Sequence, residues 1–169
     1  KKCADGSGNE GASHTAGSGK VSAEVRRLEK ESDFCQWEAM LTRSLDRNRM
    51  MVRDGMVYYL PECFEKSWNL RYLRSGLLLG ECKKNRFEPS QAAAMALPMA
   101  EFSQSVSLAA DDERTIRYLK GETIFPTLKE AACLKKGWVL IGVDVYPLGW
   151  AKYTGSSFKN KYYPGWRWM

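Results

Sequence analysis

Apolar positions are scarce at the start of the chain and regularly spaced after it. Residues 1–22 are dominated by Gly, Ser, Ala and Asn. Such a segment cannot bury enough apolar surface to offset the entropy of an ordered chain. We therefore expect residues 1–22 to form a flexible linker.

Between residues 23 and 60 the spacing of apolar residues changes from a helical to a strand pattern. Val25, Leu28, Trp37 and several later apolar residues recur at roughly helical intervals up to residue 45, which predicts one long helix or two short ones. Residues 50–52 and 56–60 then flank an Asp-Gly corner, which is typical of a β-hairpin.

The next elements complete a mixed unit. Residues 77–81, with sequence LLLGE, are typical of a buried strand. Ser90 is placed to cap an Ala-rich helix over 91–96, and Pro98 should end that helix. These patterns predict a compact intermediate α+β domain over residues 23–112.

The last third of the chain predicts a small β-rich domain. A polar stretch over 103–110 precedes Asp111 and Asp112, either of which can cap a short helix over 113–120 that Gly121 can end. Strand-like segments, separated by Gly and Pro corners, follow near Ile124 and at 138–145, 148–153 and 158–160. We expect residues 113–169 to form a β barrel, so that the fold class is α+β.

The positive charge of the chain lies in this last third. Residues 23–112 carry 13 Lys/Arg against 14 Asp/Glu, whereas residues 113–169 carry 10 against 4. No apolar run approaches the roughly 20 residues that span a bilayer, and no secretory signal is visible. We therefore expect a soluble, cytoplasmic protein without a membrane partner, whose basic β domain binds a polyanion.

The cysteines and the histidine do not suggest a metal site. The five cysteines are widely and irregularly spaced without a C-x-x-C pair, and His14 is the single histidine. A structural zinc site needs closely paired Cys or His ligands. We expect no metal in this chain.

The candidate RNA-binding residues cluster near the C-terminus. Residues 152–167 contain no Asp or Glu, so their cations can displace counterions from a phosphate backbone. An amide can bond a base edge or a 2′-hydroxyl, and tyrosines, Tyr153 and Tyr163 included, can stack on unpaired bases. The candidate contacts are Lys152, Lys159, Asn160, Lys161, Tyr162 and Arg167.

Several of these features also fit a purely structural role. Trp138, Trp150 and Trp166 are typical of a barrel core. Lys159 and Asn160 could instead order the last turn through backbone hydrogen bonds. The cations of 83–86 have acidic neighbours in sequence, which favours exposed ion pairs over RNA contacts.

Three blocks of sequence resemble a known family. They are GLLLGECKKNRFEPS at 76–90, YLKGE at 118–122, and a final block that runs from GW at 137–138 through PLGWAK at 147–152 and FKN at 158–160 to PGWR at 164–167. In order and spacing, over about residues 25–169, they resemble the C-terminal region of RsmF-type ribosomal RNA methyltransferases, in the Nol/Nop/Sun family that methylates cytosine C5.

The resemblance implies an intermediate domain followed by a PUA-like RNA-binding domain. It also implies a catalytic domain in cis that binds S-adenosylmethionine and precedes Lys1, so we expect the chain to be a piece of a longer protein and to carry no cofactor itself. Family members use a catalytic cysteine after proline and another in a threonine-flanked setting. The residues that precede the five cysteines here are Lys2, Phe34, Glu62, Glu81 and Ala132, so we expect no methylation by this chain alone.

The sequence thus predicts a non-catalytic, RNA-binding portion of an rRNA cytosine-5 methyltransferase, which positions rRNA for a separate catalytic domain. Two alternatives remain open at this point. The chain could be a protein-docking module that holds the catalytic domain or a ribosomal protein. It could also be a free-standing RNA-binding protein without a methyltransferase partner.

Overall fold

A computed structural model describes residues 22–28, 30–64, 75–84 and 86–169. The linker expected over residues 1–22 therefore lies, except for Ser22, outside the described residues. The described chain contains two four-stranded sheets and five short α-helices, which confirms the predicted α+β class. None of the helices in these ranges is long and apolar enough to cross a membrane.

The first sheet is antiparallel throughout, and its four strands lie side by side in chain order. The Asp-Gly corner forms the predicted hairpin turn between the first two strands, with φ of 51° at Asp54 and 78° at Gly55. Positive φ at both central residues gives the turn the twist that a hairpin requires. The four strands are β1 (Met50–Arg53), β2 (Met56–Tyr59), β3 (Leu77–Lys83) and β4 (Arg86–Pro89).

Three helices pack on this sheet. The pattern over 23–45 forms two short helices, α1 (Ala23–Leu28) and α2 (Ser32–Glu38), as one of the two predictions had it. The third is α3 (Gln91–Ala96), and Ser90 caps it as predicted because its hydroxyl accepts a hydrogen bond from the Ala93 N–H at 3.0 Å. Buried residues of these helices and of the first sheet form much of one of two hydrophobic cores, which we call the first core.

The four strands of the second sheet also lie side by side in chain order; the first two are parallel and the other neighbouring pairs are antiparallel. Its strands are β5 (Ser105–Leu108), β6 (Gly137–Val143), β7 (Tyr146–Tyr153) and β8 (Phe158–Asn160). The sequence predicted the last three strands but no strand over 103–110. The second sheet therefore takes in residues that precede the boundary expected at 113. Closure of the sheet into a barrel stays a prediction.

Two helices accompany this sheet. Asp112 caps α4 (Glu113–Leu119), and Gly121, with φ of 83°, follows it as predicted. The sequence analysis did not predict α5 (Leu128–Cys133), which begins with a capping box formed by Thr127 and Glu130. Three short 3-10 helices complete the described elements, at Arg47–Arg49, Met99–Glu101 and Pro164–Trp166.

The second sheet contributes to both cores. One of its faces packs in the first core, and the other packs in a second core that also includes a residue of α4. Trp150 is 1% exposed and packs in the first core, with its ring centroid 6.1 Å from Trp37 and 5.0 Å from Phe102. Its indole N–H donates to the Ser90 carbonyl at 2.7 Å. The neighbouring Ala151 lies in the second core, on the other face of the same strand. The two sheets are thus held in one frame by buried aromatic contacts.

Candidate nucleic-acid interface

Three of the predicted cations lie side by side on the second sheet. The register of β7 and β8 places Lys152 directly opposite Lys159. Lys161 follows two residues later, and its backbone N–H donates to the Trp150 carbonyl at 3.0 Å, which continues the pairing beyond β8. Side chains alternate along a strand, so all three project from the same face, and all three are exposed. We call Lys152, Lys159 and Lys161 the lysine row.

No carboxylate forms an ion pair with the lysine row within the part of the chain that the structure describes. None of its three ammonium groups lies within 4.0 Å of an acidic oxygen from those residues. The Lys152 ammonium lies 6.0 Å from the centroid of the Trp138 ring. Residues directly opposite on antiparallel strands are about 5 Å apart, and like charges there repel. The lysine row is therefore a concentrated positive surface that an anion would stabilise.

The cations of the first sheet are used differently. Lys83 contacts Glu81 at 3.1 Å and Glu88 at 2.7 Å, and Arg86 contacts Glu88 at 3.3 Å. The hydrogen bond from Lys83, with the nearby charges of Lys83, Arg86 and Lys161, holds the pKa of Glu88 below its usual range. These contacts confirm the ion pairing that the sequence favoured for Lys83 and Arg86. We call Glu81, Lys83, Arg86 and Glu88 the paired cluster.

Asn160 has partners inside the protein rather than a free amide. Its side-chain NH₂ donates to the Tyr118 carbonyl at 2.8 Å and to the Glu122 carbonyl at 3.0 Å. Its side-chain oxygen accepts from the Tyr162 N–H at 2.8 Å. Both donors of the amide are thus occupied. The structure therefore favours the structural role considered for Asn160, in which its hydrogen bonds order the last turn, over a hydrogen bond to an RNA base.

Tyr162 is also engaged within the fold. The side chain is 9% exposed, and its ring centroid lies 5.5 Å from that of Tyr118. The Tyr118 hydroxyl in turn donates to the Trp150 carbonyl at 2.8 Å, and burial raises the pKa of Tyr118 above its usual range. Tyr153 is 4% exposed. Neither Tyr162 nor Tyr153 presents the free face that stacking on a base requires.

Arg167 lies beside the C-terminal end of α4 rather than in the lysine row. Its side chain crosses Gly121 so closely that a Cβ there would lie 2.5 Å from Nε. Its Nη2 donates a weak hydrogen bond to the Tyr162 carbonyl at 3.4 Å. Arg167 is exposed, so its charge is accessible to a ligand although the residue is not part of the lysine row.

The aromatic residues of the last block divide between core and surface. The prediction that Trp138, Trp150 and Trp166 fill a barrel core is wrong. Trp150 is buried in the first core, Trp138 is half-buried against that same core, and Trp166 is 51% exposed. Tyr163 is 52% exposed, and its ring centroid lies 5.7 Å from that of Trp166. Sequence alone offered no sign of this division, since all of these residues lie in one aromatic-rich segment.

These exposed rings border a cleft of about 560 Å³ between the first sheet and the C-terminal segment. One wall is formed by residues of β2, β3, β4 and the start of α3, and the other by residues of 161–166. We call this space the interdomain cleft, and its main lining residues are Met56, Leu78, Pro89, Lys161, Tyr163 and Trp166.

Family models match both parts of the chain. Residues 33–97 match the first C-terminal domain of the RsmF rRNA methyltransferase. Residues 105–168 match the PUA domain of methyltransferase RsmF. The first match contains the paired cluster and α3, and the second contains the lysine row, α4 and α5.

Curated relatives carry the same name. Ribosomal RNA small subunit methyltransferase F of Shewanella oneidensis is 30% identical over 112 residues, which cover 66% of this chain and 22% of that protein. The protein of the same name from Shewanella baltica is 27% identical over 140 residues, which cover 82% of this chain and 28% of that protein. The chain thus spans about a quarter of the length of these relatives. The two consecutive domain matches and these relatives show that the chain belongs to the RsmF-type rRNA methyltransferase family, as its C-terminal region.

Proposed function

We propose that this chain binds rRNA through the lysine row and holds it in place for a catalytic domain on the same polypeptide. The complete protein would methylate cytosine C5 with S-adenosylmethionine, in the cytoplasm where rRNA is modified. The family implies S-adenosylmethionine in the full-length enzymes, and we assign no cofactor to the residues described here.

The observation that carries this proposal is the uncompensated charge of the lysine row. A phosphate backbone carries regularly spaced negative charges, and cations that meet them release condensed counterions. Lys152 and Lys159 repel each other across β7 and β8 until an anion lies over both. Such contacts fix the register and orientation of the RNA but carry little sequence information, which suits a placement role.

The predicted contacts outside the row contribute unequally. Arg167 remains in the proposal as a phosphate contact beyond the strand edge, because it is exposed. Asn160 and Tyr162 support the interface indirectly, since their hydrogen bonds and packing hold the turn that carries Lys161.

The test is a titration of the chain with a structured rRNA fragment at several salt concentrations. Three contacts from the row and one from Arg167 give a slope of log K against log salt of about −2.8, at roughly −0.7 per contact. The double variant Lys152→Ala/Lys159→Ala should bring that slope to about −1.4 and weaken binding about tenfold near physiological salt. The matched control is Lys129→Ala/Lys135→Ala, which removes the same charge from exposed positions outside the row. Equal effects of the two double variants would contradict the proposal.

A second candidate function is the docking of a protein, the catalytic domain or a ribosomal protein. The observation in its favour is the exposed apolar C-terminus, where Trp168 is 56% exposed and Met169 is fully exposed. Apolar docking predicts binding that salt hardly changes, because little charge is neutralised. The salt series therefore separates the two candidates.

A further inference from the structure

We propose that the interdomain cleft receives one unpaired nucleotide of the RNA that the lysine row holds. The inference deepens the proposed function and rests on it, because the RNA backbone must first lie along the row. It assigns to both domains a share in recognising the RNA, and it makes an unpaired base, rather than a continuous duplex, the preferred ligand.

The cleft has the size and the walls that a nucleobase needs. Its volume of about 560 Å³ lies within the ~300–1,000 Å³ typical of small-ligand sites. Tyr163 and Trp166 present half-exposed rings on one side, and Leu78 and Pro89 present apolar surface on the other. A flat aromatic base can cover such surfaces on both of its faces, and unpaired bases in RNA commonly stack on aromatic side chains in this way.

Lys161 connects the cleft to the lysine row. It belongs to the row through its pairing with Trp150, and it also lines the cleft. An RNA strand whose phosphates follow Lys152, Lys159 and then Lys161 therefore arrives at the opening of the cleft. A nucleotide that leaves the stack at that point can keep its phosphate near Lys161 while its base enters.

The acidic residues of the cleft do not oppose this ligand. Glu81 and Glu88 line it, but both are already bridged by Lys83, and Glu88 also contacts Arg86. Their negative charge is therefore largely offset by the paired cluster. Lys161 forms no ion pair within 4.0 Å among the described residues, although its charge acts on Glu88 from further away, so it keeps most of the charge that favours a phosphate.

The experiment compares two RNA hairpins that have the same stem, one fully paired and one with a single bulged nucleotide. With the chain of 169 residues we expect the bulged hairpin to bind roughly tenfold more tightly, which is the scale of one base–aromatic stack. A 2-aminopurine at the bulge should change fluorescence on binding, because its stacking partners change.

Variants then locate the bulged base. Trp166→Ala and Tyr163→Ala should each remove most of the preference for the bulge and leave the affinity for the paired hairpin unchanged. Trp168→Ala is the matched control, because Trp168 is similarly exposed and does not line the cleft. We expect Tyr163→Ala to leave the fold intact, since Tyr163 is exposed and, among the described residues, its ring contacts that of Trp166 alone.

The outcomes separate this inference from the proposed function. Equal affinities for the two hairpins, as expected if the cleft instead accepts a protein side chain, would overturn the inference while RNA binding by the lysine row stands. The same holds if Trp168→Ala reduces the bulge preference as much as Trp166→Ala. Failure of both hairpins to bind at low salt would instead overturn the proposed function.

Discussion

β3 and β4 of the first sheet, like β7 and β8 of the second, set residues of the same charge opposite one another. In the first sheet Glu81 lies opposite Glu88, and Lys83 lies two residues along, opposite Arg86. Lys83 contacts Glu88 across the strands and Glu81 along its own strand, so that the repulsion between the two carboxylates is offset. The paired cluster is a closed set of charges, with little left for an external ligand.

The lysine row has the same cross-strand geometry without compensating ion pairs among the described residues. Lys152 lies opposite Lys159, and the next residue of that face on the neighbouring segment is again a lysine, Lys161. Cations on a sheet surface therefore do not by themselves indicate a nucleic-acid site. The informative feature is whether a carboxylate of the described residues lies within ion-pair distance of them, which local sequence only partly reports.

The largest expected effect is on the free energy of unfolding, and it tests whether the two domains share a core. Trp150 is almost fully buried and contacts Trp37, Phe102 and the Ser90 carbonyl of the first domain. Trp150→Ala should lower the free energy of unfolding by ~3–5 kcal/mol, because it leaves a cavity at the junction of the cores. Urea denaturation followed by circular dichroism measures this change.

The control for this prediction is Trp168→Ala. Trp168 is 56% exposed, so its removal should change the free energy of unfolding by less than ~0.5 kcal/mol. If Trp150→Ala is equally mild, the two domains do not share a core and the cleft between them loses its rigid walls.

The next prediction gives the second sheet the charge pairing of the first. Lys159→Glu sets a carboxylate opposite Lys152, which should stabilise the free protein by ~0.2–1 kcal/mol. The same change removes a phosphate contact and adds a repelling charge, so affinity for RNA should fall at least about tenfold near physiological salt. The stability of this variant, measured by denaturation, should therefore rise, while its affinity for RNA, measured by titration, should fall.

Lys129→Glu controls for net charge, since Lys129 is an exposed residue of α5 outside the row. It should weaken RNA binding much less than Lys159→Glu. An equal loss of affinity in both variants would mean that RNA binding depends on the total charge of the domain. The difference between the lysine row and the paired cluster would then not matter for RNA binding.

Local signals in the sequence predicted much of the fold. The Asp54-Gly55 turn and the Ser90 cap each depend on residues close in sequence, and both form as expected. The sequence did not predict β5 because its paired residues in β6 lie 35 positions further along, although Val106 and Leu108 do alternate with serines. α5 was missed although the Thr-x-x-Glu spacing of its capping box was readable in the sequence.

The candidate site was less predictable, because it depends on register and on distant partners. The sequence identified Lys152 and Lys159 as cations, but only the pairing of β7 with β8 sets them opposite each other. The side chain of Asn160 bonds carbonyls 42 and 38 residues away, at Tyr118 and Glu122. No local pattern could have shown that this amide has no free donor.

The smallest expected effect is the response of the paired cluster to acid. Contact with Lys83 holds the pKa of Glu88 below its ordinary value of about 4.5, so the folded state binds this proton less readily than the unfolded chain. The resulting stability is fully present above pH ~4.5 and is lost as the pH falls through the lowered pKa. We therefore expect Glu88→Gln to lose less stability than the unsubstituted chain when urea denaturation is repeated from about pH 5 down to pH 3. Lys159→Ala should keep the full acid dependence, because Lys159 forms no ion pair with a carboxylate among the described residues and is not one of the cations that lower the pKa of Glu88. If Lys159→Ala flattened that dependence as Glu88→Gln does, Lys159 would be linked to an acid, and the two sheets would not differ in the way their charges are balanced.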